Sequence, residues 1–173
     1  MSRHPKENNS TAPSSGQPEP HTVERHRFQT LAQARSLALK LSQLCPDPER
    51  VKTGLSELMI NAVEHGNLEI SYQEKGQLLE HGTWEEETMQ RLALPRYRDR
   101  FAEVVVSRSE REIRFLIQDM GSGFDWRPFL EIDPQRILHN HGRGIAWAAS
   151  LSFDRLEFYE PGSAVEGVVI LTE

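Results

Sequence analysis

A change of period part-way along the chain limits its folds more than any other feature. Leu31, Ala34, Leu37, Ala38, Leu41 and Leu44 recur at helical spacing, and Val51, Leu55, Leu58, Met59 and Ala62 repeat the pattern. Such spacing gives helices with one buried face. Further on, Ile113, Phe115 and Ile117 alternate with polar neighbours, as in a half-buried strand. Helices first and antiparallel-capable strands later predict a two-layer α/β sandwich rather than repeated βαβ units.

The spacing predicts helices over residues 30–44 and 48–64, with Asp47 capping the second and Pro48 at its first position. Shorter helices are expected over 72–79 and 84–94, and another from near Gly144. Strands are expected over 101–107, 112–118, 155–159 and 165–171, the last two joined by the turn "EPGS". "HTVERHRF" reads as a short edge strand.

One domain suits 173 residues. Residues 1–20 are polar and rich in Pro, Ser and Asn, which predicts a disordered tail before a domain over 21–173. The formal charge of −6 gives no general attraction to nucleic acid or an anionic membrane. Cys45 is the only cysteine, so an internal disulfide and a cysteine-based zinc site are excluded. No apolar run is long enough to span a bilayer, and the N-terminus lacks an apolar signal core. A cytoplasmic location is the expectation.

Three stretches carry candidate chemistry. In "LSELMINAVEHGN", Glu57, Asn61 and His65 stand one turn apart beside the apolar arc. Asn61 offers a neutral oxygen to a hard cation such as Mg²⁺, which keeps most of its shell as water and phosphate oxygen. Glu57 can orient or deprotonate a hydroxyl. A solvated polar stripe is the plain alternative, with His65 making a local hydrogen bond at the helix end. In "DMGSGF", Asp119 ends a strand and can accept a hydrogen bond from an exocyclic amine such as that of adenine. Gly121 and Gly123 permit a tight turn and close ligand approach. The alternative is an ordinary turn in which Asp119 caps local N–H groups. In "HNHGRGIAWAAS", Gly142, Arg143 and Gly144 lead into a helix, and N–H groups at a helix start favour phosphate. A structural helix start with a solvent-facing arginine is the alternative. There is no P-loop, full dinucleotide fingerprint or HExxH pattern.

In this order, "ELMINAVEHGN", "DMGSGF" and "HGRGIAWAAS" resemble the N, G1 and G2 boxes of the GHKL (histidine-kinase-like) ATPase superfamily. Within it the chain is most similar to the anti-sigma-factor serine/threonine kinases, over most of its length from about Thr30 to Leu171. The resemblance implies a Bergerat-type ATP-binding fold, a mixed sheet covered on one side by helices. It implies ATP and Mg²⁺ as cofactors, Asn61 as the magnesium ligand and Asp119 as the adenine partner. Gly121, Gly123, Gly142 and Gly144 would surround the nucleotide, with Arg143 near phosphate and Glu57 as the base. Residues 124–140 would form a lid. An anti-anti-sigma protein is implied as phospho-acceptor, with a sigma factor and a second copy of the chain as further partners and transcription as the process regulated. A module that binds ATP without transferring phosphate, and a slow ATPase, are the rival functions.

The chain departs from that pattern twice. An acidic helical insertion occupies about residues 68–100, resembling inserts in ATPase domains attached to bacterial response-regulator systems. It reads either as a packed surface hairpin or as a partner-recognition element, with Leu78, Leu79, Trp84, Met89, Leu92 and Leu94 as candidate anchors and Glu85, Glu86 and Glu87 as an acidic face. Ser163 and Ala164 replace the family's usual Gly-Asn-x-Val ending. No phospho-accepting helical domain is apparent, which argues against a sensor histidine kinase.

Overall fold

The computed structural model describes residues 22–130 and 143–171. The expected tail, Gly142 and most of the expected lid lie outside these residues. Five strands form one sheet in the order β1-β2-β3-β5-β4. They are β1 (Thr22–Phe28), β2 (Ala102–Arg108), β3 (Glu112–Gln118), β4 (Arg155–Tyr159) and β5 (Ala164–Ile170). All four pairings are antiparallel. The expected mixed sheet is therefore corrected to an antiparallel one among the described residues. Tight turns reverse the chain between β2 and β3 and between β4 and β5, whereas β1–β2 and β3–β5 pair antiparallel across long connections.

The sheet's two faces follow from strict alternation. Val104 pairs with Ile117, Val106 with Phe115, and Ile113 with Val169, all buried on one face. Glu112, Arg114, Glu166 and Arg155 make an ion-pair ladder on the other, with Arg114–Glu166 at 3.1 Å and Arg155–Glu112 at 2.6 Å. Gly167 stands where Phe153 crosses the inner face. A Cβ there would lie 2.7 Å from that ring.

Helices α1 (Leu31–Ser42) and α2 (Pro48–Asn61) join the inner face in a single core. Thr30 and Gln33 form a capping box for α1, and Asp47 accepts the Arg50 N–H at 3.1 Å to cap α2. The expected single helix over 48–64 instead widens into a π-helical turn at Ala62–Asn67. A second such widening, Ala148–Ser152, follows the short α5 (Gly144–Trp147). Turns of this kind re-aim side chains and cluster at functional sites.

The insertion is helical as expected: α3 (Tyr72–His81) and α4 (Trp84–Leu92). Leu68 and Ile70, at its entry, are fully buried. Arg91 donates to the Leu68 and Glu69 carbonyls, at 3.1 and 3.3 Å. Leu78, Trp84 and Leu92 pack against the core, Leu79 lines a cavity, and Met89 and Leu94 stay exposed. The insertion is thus packed onto its own domain. No helix among the described residues is long and apolar enough to cross a membrane.

Candidate functional site

The C-terminal end of α2 and the end of β3 meet around two hollows that share lining residues. The larger is about 800 Å³ and the smaller about 70 Å³. Their combined size is that of a pocket for a small organic ligand. Asn61, His65, Ser122 and Ile145 line both.

Asp119 lies in the smaller slot, with Ile117 and Val165 among its apolar walls. Its backbone N–H donates to the Ser163 carbonyl at 3.0 Å, which anchors the strand end. Oδ1 accepts the Gly121 N–H at 2.7 Å. The carboxyl group lies flat against Gly66, where a Cβ would come within 2.3 Å of Cγ. Gly66 therefore makes room for the carboxylate. Burial pushes the Asp119 carboxyl up to about 6, while the Gly121 N–H and the Arg100 charge pull the other way. Phe158 also lines the slot, stacked on Trp126 with ring centroids 5.3 Å apart, and Phe124 meets it edge-on at 6.1 Å. The slot is therefore a small, largely apolar space that Asp119 lines together with Glu69, the latter paired with Arg96 and Arg100.

Glu57 and Asn61 line the larger cavity from successive turns of α2. Neither makes a side-chain hydrogen bond or ion pair among the described residues. Burial raises the Glu57 carboxyl above its ordinary range, partly offset by the nearby Lys75 charge, with Glu64 adding to the rise. Such a carboxyl is suited to take a proton. Gly144 opens α5 directly against it. A Cβ at that position would fall 2.2 Å from Glu57 Oε2, so a side chain there would displace the Glu57 carboxyl from its present place.

The other candidates divide. Arg143 lines the larger cavity, with its guanidinium 5.1 Å from the Trp147 ring centroid. Gly121 lines neither hollow, and its N–H is spent on Asp119. Gly123 borders the slot, but its positive φ of 82° and its closeness to the Pro161 carbonyl mark a turn packed on the β4–β5 turn. His65 lines both hollows while its ring nitrogens are taken up locally. Nδ1 meets the Ile70 carbonyl at 2.5 Å and Nε2 meets Glu64 at 3.1 Å. That is the local hydrogen-bonding role weighed for it from sequence.

Sequence reading missed Glu64, Asn67 and Lys75. Glu64 is completely buried and accepts from Trp84 Nε1 at 2.8 Å, from Lys75 and from His65. Burial opposes its charge, but the bonds to His65 and Lys75 outweigh that and hold its carboxyl below the usual range. Asn67 Oδ1 accepts the Met120 N–H at 2.9 Å, tying the end of the π-turn to the segment after β3. Its Nδ2 is buried without a partner among the described residues. Asn67 was visible in "HGN" as the polar end of a helix; nothing in local spacing pairs Glu64 with Lys75.

Among the described residues there is no group of three or more His, Cys, Asp or Glu side chains able to hold a metal ion. The donor set fits Mg²⁺ only in company with a ligand: one neutral amide oxygen at Asn61, with phosphate oxygens and water completing the shell. No protein-family model and no curated protein matches the sequence.

Proposed function

We propose that this chain binds ATP with Mg²⁺ in a Bergerat-type site and is a serine/threonine protein kinase of the anti-sigma-factor kind. Asp119 carries the reading: a half-buried carboxylate in a largely apolar slot that shares Asn61 with the larger cavity lined by Glu57. Adenine presents a flat apolar face and an exocyclic amine, which suit the slot wall and the Asp119 carboxylate in turn. The sugar and phosphates would then run past Asn61 toward Gly144 and Glu57.

In this reading Asn61 supplies the protein's one oxygen to Mg²⁺, which when bound neutralises phosphate charge. Glu57 holds the hydroxyl of a serine or threonine on an anti-anti-sigma partner and takes its proton. That oxygen forms the new bond to the γ-phosphorus, the bond to the β-phosphate oxygen breaks, and ADP leaves with that electron pair. Backbone N–H groups at the start of α5 face the developing charge.

Titration of the full chain with MgATP, followed by γ-labelled phosphate transfer to candidate anti-anti-sigma proteins, tests both halves. Micromolar binding and labelling of a partner hydroxyl are expected. Binding without labelling of any partner or release of phosphate would leave an ATP-dependent binding module, and absence of ATP binding would overturn the reading.

A further inference from the structure

The cavity has two chemically different ends. Asp119, Ile117 and Val165 line the slot alone, whereas Glu57, Lys75, Arg143 and Gly144 line the larger cavity alone. The slot side carries the Asp119 carboxylate, and the larger cavity adds the cations Lys75 and Arg143 beside Glu57. One of those cations comes from the insertion. Lys75 is one turn into α3, whose start is fixed by a capping box between Ser71 and Glu74. Its Nζ bonds to Glu64 and lies 5.1 Å from the Trp84 ring centroid, and its side chain is only 13% exposed. Glu64 is itself immobilised by Trp84 and His65. A lysine ammonium carries three donors. Glu64 is its one hydrogen-bond partner among the described residues, so donors remain for a ligand in the cavity that Lys75 lines. The other cation at this wall from outside the α5 region, Arg35 of α1, is already paired with Glu85 at 2.8 Å.

We propose that the inserted helices complete the ligand site, with Lys75 recognising the terminal phosphate of a nucleoside triphosphate. This rests on the nucleotide reading above. The terminal phosphate is the part of such a ligand farthest from the base, and Lys75 lines the larger cavity but not the slot that holds Asp119. Buried Glu64 sets where the ammonium sits, so its position is fixed before the ligand arrives. The insertion thereby distinguishes triphosphate from diphosphate.

The test titrates MgATP, MgADP and adenosine into the full-length protein and into Lys75→Met and Lys75→Arg, with thermal melting alongside. Loss of a charge-assisted contact to phosphate is expected to weaken ATP binding by about tenfold or more. ADP should lose less and adenosine nothing, with Lys75→Arg keeping the preference for ATP. Should Lys75→Met not fold because buried Glu64 loses its ammonium partner, Glu64→Gln with Lys75→Met removes both charges and is expected to show the same ATP-selective loss. Equal losses for all three ligands, or no loss for any, would overturn the assignment and leave Lys75 as a fastening of the insertion. If the unmodified protein binds ATP, either result leaves the nucleotide reading standing. If it binds none of the three, the nucleotide reading falls and the Lys75 assignment falls with it.

Discussion

At the scale of single residues, Asp119 and Glu57 owe their character to what surrounds them. Burial raises Asp119 from 3.8 to about 6, so the folded protein holds that proton more tightly than the unfolded chain. Its contribution to stability is therefore largest below about pH 4 and is lost as pH rises to about 6. Asp119→Asn removes this slope, which melting temperatures from pH 4 to pH 7 will read against wild type. Adenine binding runs the opposite way, because the ionised carboxylate is the stronger acceptor. Nucleotide affinity should fall as pH drops below about 6 in wild type. Asp119→Asn should bind about tenfold more weakly at pH 7.5, with most of that pH dependence gone. A variant as tight as wild type at pH 7.5 would remove Asp119 from the adenine role. Glu57→Ala is expected to keep ATP binding and lose phosphotransfer by on the order of 10²-fold or more. Asn61→Ala should instead weaken Mg²⁺-dependent binding. Full transfer by Glu57→Ala at saturating ATP contradicts the base assignment.

At the scale of elements, α3 and α4 are held by their ends as well as by their faces. Gly82 closes α3 in the left-handed region at φ 68°, with none of the described residues within 4 Å of where a Cβ would stand. Gly82→Ala should therefore cost about 1 kcal/mol through backbone strain alone, a value that urea unfolding can measure. A neutral result would mean that the turn relaxes into another conformation. The start of α5 is tighter. Gly144→Ala drives a methyl group into Glu57, so it is expected to cut phosphotransfer more than it lowers the melting temperature. Equal effects on transfer and on folding would make the contact merely architectural.

At the scale of the whole molecule, one buried carboxylate ties three elements together. Glu64 belongs to the π-turn after α2, Lys75 to α3 and Trp84 to α4. The insertion should consequently unfold with the domain. Tryptophan fluorescence, which includes Trp84, and far-UV circular dichroism should give coincident urea transitions. An earlier fluorescence transition would show the insertion to be a separate unit. Glu64→Ala, which leaves Lys75 and Trp84 Nε1 without their acceptor, is expected to destabilise the fold by about 3 kcal/mol, checked in the same measurement.

The sequence by itself determined the element types, most of their limits and the two faces of β2 and β3, because these depend on periods of 3.6 and 2 that are written locally. It also placed Glu57 and Asn61 on one stripe and Asp119 at a strand end. Tertiary structure alone decided the rest. Strand order brings the end of β3 beside the end of α2, which puts Gly66 behind Asp119 and Asn67 against Met120. The long connections bring β1 to β2 and β5 to β3 in antiparallel sense, which makes the described sheet antiparallel rather than mixed. The widened turn at Ala62–Asn67 replaces the end of a regular helix. Glu64 found Lys75 and Trp84 across 11 and 20 positions of sequence. No helical or strand period links residues at such separations. They meet because burying Leu68 and Ile70 folds the insertion back over the cavity, and a charge buried at that junction requires donors from whatever packs against it.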